Sequence, residues 1–146
     1  MFEAWKIKRG MRKVKLETTK MVRKAKAGGE SLDGLRAFFG LALGDRHSIS
    51  VRVSGAVGLG EISDPRDVER LVRAMTGDST YIVSAEAATA LGKIGGEEAL
   101  TALVVVKDAS ETDPRVKVAA MKAYARVLRA ETARLKTEVE RMKREP

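Results

Sequence analysis

"SGAVGLGEIS", residues 54–63, places glycines at 55, 58 and 60, and two readings compete for it. In a strand–loop–helix unit such glycines cradle a phosphate. Inside a helix they let a neighbouring helix come close. A dinucleotide fingerprint needs the order G-x-G-x-x-G after a β-strand. Here the order is reversed and no strand pattern precedes it.

Internal repetition decides between the two. "VRVSGAVGLGEI" (51–62) aligns with "VSAEAATALGKI" (83–94) and "VKVAAMKAYARV" (116–127). Val51, Val83 and Val116 coincide, then Gly55, Ala87 and Ala120, then Gly58, Ala90 and Ala123. Leu59, Leu91 and Tyr124 follow, and Ile62, Ile94 and Val127 close the register. Small and apolar residues recur at i, i+4, i+7, i+8 and i+11, the helical period. The glycines therefore sit in mid-helix, where each costs about 1 kcal/mol against alanine and close helix contact is the compensation. Alanine at 58 is expected to be tolerated or opposed only by crowding, and leucine to overpack.

A second amphipathic helix follows each of the first two: "DPRDVERLVRAM" (64–75) and "GEEALTALVVVK" (96–107). Asp64 and Asp113 are N-cap candidates, each with proline at the first helical position, and Gly95 and Gly96 suit a chain reversal. Two helices per unit of about 33 residues, stacked, make an α-solenoid. "DSTYIVSAEAATALGKIGGEEALTAL" (78–103) resembles HEAT-like repeats of the phycobilisome-lyase type. The likeness covers residues 45–128 well and 14–44 weakly, with "VKLETTKMVRKA" (14–25) as a degenerate leading unit. Similar repeats form the C-terminal helical region of some microbial zinc aminopeptidases, whose zinc motif is absent here. The resemblance implies an Asp–Arg ladder between repeats. Arg52 and Lys117 keep its charge, and Ser84 interrupts it.

The expected architecture is all-α, about seven or eight helices: three clear repeats behind a degenerate leading pair. A basic helix over 1–27 precedes a solenoid over 28–146, all one domain. Whether residues 115–145 form one helix or two stays open, because no Gly or Pro marks a break between them. If "RAETARLKTEVERMKREP" protrudes, Leu128, Leu135, Val139 and Met142 make it a dimerisation helix; if it turns, it caps the solenoid. Glu140 is expected to pair with Arg144.

Composition narrows the function classes. There is no cysteine and a single histidine, His47, so thiolate sites, HExxH and multi-histidine cages are excluded. No carboxylate pair or nucleophile–base pair stands out. The reading is non-catalytic, with no cofactor and no metal. No apolar run reaches the length of a membrane span, and a cytoplasmic protein is expected. Asn and Gln are also absent, the pattern of hyperthermophile proteins.

Net charge is +8, and residues 1–27 carry all of it, with ten basic and two acidic side chains. At 100° per residue, Ile7, Met11, Val14, Thr18, Met21 and Ala25 form one stripe of that helix. Lys6, Lys8, Arg9, Arg12, Lys13, Lys20, Arg23 and Lys24 lie opposite, with Trp5 and Leu16 among them. Basic residues with an interleaved aromatic suit nucleic acid, and also an anionic membrane surface or an acidic protein. A capping helix with a solvated face would carry the same charges. Helical phase also places Arg66, Arg70 and Arg73 with Thr101 and Val105 on one concave surface of the second helices, a mixed surface suited to a protein partner. A protein-binding scaffold is the first expectation and a DNA- or rRNA-binding module the second. A detached helical domain of a larger enzyme is the third.

Overall fold

The computed structural model describes residues 2–145. Seven α-helices follow one another: α1 (Phe2–Ala27), α2 (Asp33–Leu43), α3 (Ile49–Ile62), α4 (Val68–Gly77), α5 (Tyr81–Ile94), α6 (Glu97–Asp108) and α7 (Pro114–Arg144). One 3-10 turn, Pro65–Asp67, leads into α4, and the described residues contain no strand. Side chains close the helix starts as expected. Asp64 accepts from Arg66 N–H at 2.9 Å and Asp113 from Arg115 N–H at 2.8 Å, with Pro65 and Pro114 next in line. Ser48 and Thr80 cap α3 and α5 in the same way. Gly95 and Gly96 take φ of +71° and +88°, which reverses the chain between α5 and α6.

The helices form two layers. α1, α3, α5 and α7 lie side by side, α3 extensively against α5 and α5 against α7. α2 packs on α3, α4 on α5 and α6 on α7, while α4 touches α6 sparsely. The packed units are therefore α2–α3, α4–α5 and α6–α7, one helix out of step with the grouping expected from the sequence. That grouping joined helices across the tight turns at Ser63–Asp64 and Gly95–Gly96. All the turns are short, so chain adjacency does not reveal which surfaces meet. The close layer has less room than the splayed one, so the array bends around it. α1, α3, α5 and α7 form the inner side.

Glycines make the inner layer close. A Cβ added at Gly60 would meet Ala90 Cβ at 2.8 Å, and one added at Gly92 would meet Ala123 Cβ at 2.7 Å. These are the same small-on-small contact, repeated one unit along. Gly55 and Gly58 instead seat α2. A Cβ at Gly55 would lie 2.8 Å from the Phe39 carbonyl oxygen, and one at Gly58 would enter the Phe39 ring. Phe39, Leu59, Leu71, Leu91 and Leu103 are fully buried along the core between the layers.

α1 belongs to the same core. Val22 is fully buried, Ala25 nearly so, and Thr18 Oγ1 lies 3.0 Å from Ser54 Oγ of α3. The expected stripe holds at Met11, Val14, Thr18 and Ala25 but shifts from Met21 to Val22, and Ile7 is exposed. α7 is a single helix of 31 residues. Its last buried residue is Val127, and the following turns contact no other element's core. Glu140 pairs with Lys143 at 3.2 Å, one residue short of the expected Arg144.

Candidate functional site

Two ion pairs, each with a buried member, tie neighbouring units together. Arg52 of α3 donates from Nε and Nη2 to the two carboxylate oxygens of Asp78, at 2.9 and 3.3 Å, and from Nη1 to the Asp45 carbonyl at 3.1 Å. Arg36 of α2 grips Asp67 at 2.6 and 3.0 Å, and the Asp67 carboxylate is almost inaccessible. Where Ser84 stands in place of the next arginine, its hydroxyl donates to the Ala74 carbonyl at 3.4 Å. These arrangements hold the fold and leave no reactive group free. Among the described residues no group of three or more His, Asp or Glu is placed to hold a metal ion. His47 is exposed in a turn shaped by Asp45, which accepts the backbone N–H groups of Ser48 and His47. Those two hydrogen bonds hold the Asp45 carboxyl below its ordinary range.

The inner face carries the groove system. Between α5 and α7 runs a groove of about 440 Å³, floored by Ala85, Thr89, Ala119 and Ala123. Arg115, Lys122, Arg126 and Arg129 line its α7 wall. A second groove of about 450 Å³ shares Glu86 and Thr89 with the first and continues over Val57, Gly60 and Ala90 to Lys15, Leu16, Thr19 and Arg23 of α1. The small residues that bring α3, α5 and α7 together thus also hollow out the floor. The acids on this face are committed. Glu86 pairs with Lys15 at 2.5 Å; Glu61 binds Lys93 and lies 3.6 Å from Arg23. Burial raises the Glu61 pKa, but Lys93, Arg23 and Lys26 outweigh it and the carboxyl titrates below its ordinary range. Arg115 pairs with Asp113 and stacks over the Tyr81 ring, 3.3 Å from its centroid. Lys122, Arg126 and Arg129 make no ion pair among the described residues.

The nine basic-helix candidates, Trp5, Lys6, Lys8, Arg9, Arg12, Lys13, Lys20, Arg23 and Lys24, are all exposed on α1. Arg9 sits over the Trp5 ring at 5.3 Å, and Arg23 leans to Glu61. Lys8, Arg12, Lys13, Lys20 and Lys24 have no acidic partner among the described residues. The five residues expected on a concave surface are exposed too, but they stand on the splayed outer layer. Arg70 and Arg73 line a groove between α4 and α2, Val105 lines the next groove beyond α4, and Thr101 and Arg66 line neither. Arg66 is held by Asp64 at 2.7 Å. Phe38 and Leu41 of α2, the latter 81 % exposed, are further exposed apolar side chains of the outer layer. Neither was singled out in the sequence, because α2 lies where the repeat pattern is weak. The α7 wall was missed for a different reason. Its charges are cancelled in the overall balance of residues 28–146, although the spacing of Arg115, Lys122, Arg126 and Arg129 already puts them on one face of a helix.

Residues 39–125 match the family model described as HEAT repeats. No curated protein matches the chain.

Proposed function

The chain belongs to the HEAT-repeat family, and on that premise we propose that it is a non-catalytic scaffold whose inner face receives an acidic segment of a protein partner. HEAT repeats generally act as protein-interaction scaffolds. The observation that carries the proposal is the continuous groove over α3, α5 and α7. Its alanine and glycine floor leaves room for a partner's side chains, and its α7 wall offers Lys122, Arg126 and Arg129 without counter-charges. Arginine beside apolar floor is the composition of an interface core. Arg66, Arg70, Arg73, Thr101 and Val105 would serve a second contact surface on the outer layer. The spelling of residues 78–103 supports a phycobilisome-lyase type of repeat.

The test is affinity capture from native lysate after nuclease treatment, with wild type and a Thr89→Glu/Arg126→Glu variant as baits. A protein held by wild type and released by the variant supports the reading. Retention that ignores the two groove substitutions refutes it. Nucleic acid is the second reading, and α1 is what favours it. Five of its cations lack acidic partners, and Trp5 lies half exposed among them. Capture that disappears with nuclease would transfer the site to DNA or RNA.

A further inference from the structure

α7 carries a second pattern that the fold leaves uncovered. Val118, Met121, Ala125, Leu128, Thr132, Leu135, Val139 and Met142 are spaced alternately three and four residues apart over the whole helix. That is the a/d seam of a coiled coil. The six larger apolar members, from Val118 to Met142, are between 41 and 64 % exposed. The seam lies away from the face that holds α7 on α5, which is built from Val116, Ala120, Ala123 and Val127. An apolar stripe of this length on an otherwise charged helix requires a partner helix to cover it.

The flanking charges say which partner. In the same heptads, Lys122, Arg129, Lys136 and Lys143 occupy the e positions, and Tyr124, Glu131, Glu138 and Glu145 the g positions. In a parallel pair each g residue faces the e residue five further along the other helix. Two copies of α7 in parallel register would set Glu131 against Lys136 and Glu138 against Lys143, twice each by symmetry. Tyr124 would meet Arg129, and Lys117 would meet Lys122, the one like-charge pair of the register. In an antiparallel pair g faces g and e faces e, so glutamate would meet glutamate and lysine would meet lysine. The a positions hold Val118, Ala125, Thr132 and Val139 and the d positions Met121, Leu128, Leu135 and Met142. β-Branched residues thus recur at a and leucine at d, a pattern that favours two strands. Glu131 and Glu138 now bond Arg134 and Arg141 of their own helix at 2.9 and 2.5 Å, exposed pairs worth little that can be exchanged. We propose that α7 pairs with α7 of a second copy of this chain as a parallel, in-register coiled coil. The pair would share Val118, Lys122 and Arg129 with the wall of the α5–α7 groove, so pairing and an occupant of that groove would compete there.

The chain has no cysteine, so single cysteines report the geometry directly. Sedimentation equilibrium of the full chain is expected to give twice the monomer mass. Met142→Cys is expected to form an intermolecular disulfide on mild oxidation, because a parallel pair places the two residues across the seam. Thr137→Cys, on the outer side of α7, should not. A Glu131→Lys/Glu138→Lys variant should sediment as a monomer, as should Lys136→Glu/Lys143→Glu. Mixing the two should restore the double mass, because the facing pairs 131–136 and 138–143 are then opposite in charge. These sites lie beyond Val127, and circular dichroism checks that the repeats stay folded. A monomer at high micromolar concentration overturns the proposal. So does a dimer indifferent to the charge changes, or one that cross-links through 137 as readily as through 142.

Discussion

Gly58 and Gly10 are both helical, and the same substitution should act on them in opposite directions. Nothing lies within 4 Å of a Cβ placed at Gly10, on the exposed face of α1. Gly10→Ala should therefore raise stability by about 0.5–1 kcal/mol, through helix propensity alone. At Gly58 the added carbon enters the ring of Phe39, which is fully buried and has nowhere to move. Overpacking costs about 1–3 kcal/mol against a propensity gain of about 1, so Gly58→Ala should be a net loss of up to about 2 kcal/mol. Of the two outcomes expected for alanine at 58, the Phe39 ring favours opposition by crowding. Phe39→Leu in the Gly58→Ala background should recover part of the loss in urea unfolding. Alignment with Ala87 and Ala90 made these glycines legible as packing sites. It could not show that Gly58 faces an aromatic ring, because Phe39 belongs to a helix outside the aligned stretch. The capping aspartates give a pH signature. Hydrogen bonds from the Arg66 and Arg115 side chains, then from their backbone N–H groups, hold Asp64 and Asp113 at about 2, below the ordinary 3.8. A carboxylate depressed in the folded state stabilises fully above its unfolded value and progressively less below it. The gap in urea midpoint between wild type and Asp64→Ala/Asp113→Ala should therefore be full above 3.8 and close as pH falls to about 2.

Between elements, the Arg52–Asp78 pair ties the start of α3 to the turn before α5. Both side chains are about nine-tenths buried, so removing one strands a charge. Asp78→Ala should cost about 3–5 kcal/mol in chemical denaturation. A double variant that also replaces Arg52 by methionine should recover much of that, because no orphaned charge remains. The sequence marked Arg52 as a ladder residue and Ser84 as its interruption, since both occupy the same place in the repeat. The second pair, Arg36 with Asp67, occupies no ladder position, and Arg36 lies outside the aligned helices. Pairing of helices was harder still. Periodicity identifies an apolar face but not the surface it meets, and the linking turns are too similar in length to discriminate. The continuity of α7 was open for a related reason: its last turns bury nothing, so no core contact in the sequence records their direction.

At the scale of the whole molecule, charge ignores the order of the chain. The excess of +8 lies in the first 27 residues, yet the fold adds Lys122, Arg126 and Arg129 of α7 to the same inner side as Lys15 and Arg23. If six basic residues of α1 met phosphates, log K for a polyanion should fall against log salt with a slope of about −4 to −5. Neutralising Lys8, Arg12 and Lys13 should reduce that slope by about 3 without unfolding the protein, because these side chains are exposed. Heparin or duplex DNA titrated across a salt series measures both. Deleting α1 would be a poor substitute, because Val22 and Thr18 are part of the core.

The repeated contact of Gly60 with Ala90, and of Gly92 with Ala123, also has a mechanical meaning. Where backbones already touch, the array cannot curl further inward. The loosely joined outer helices α4 and α6 can still draw together. Each seam is then a one-way hinge: the arc can flatten but cannot tighten. A partner on the inner face would find a cradle that opens to fit and never clenches, and its binding would register in small-angle scattering as a longer molecule, not a more compact one.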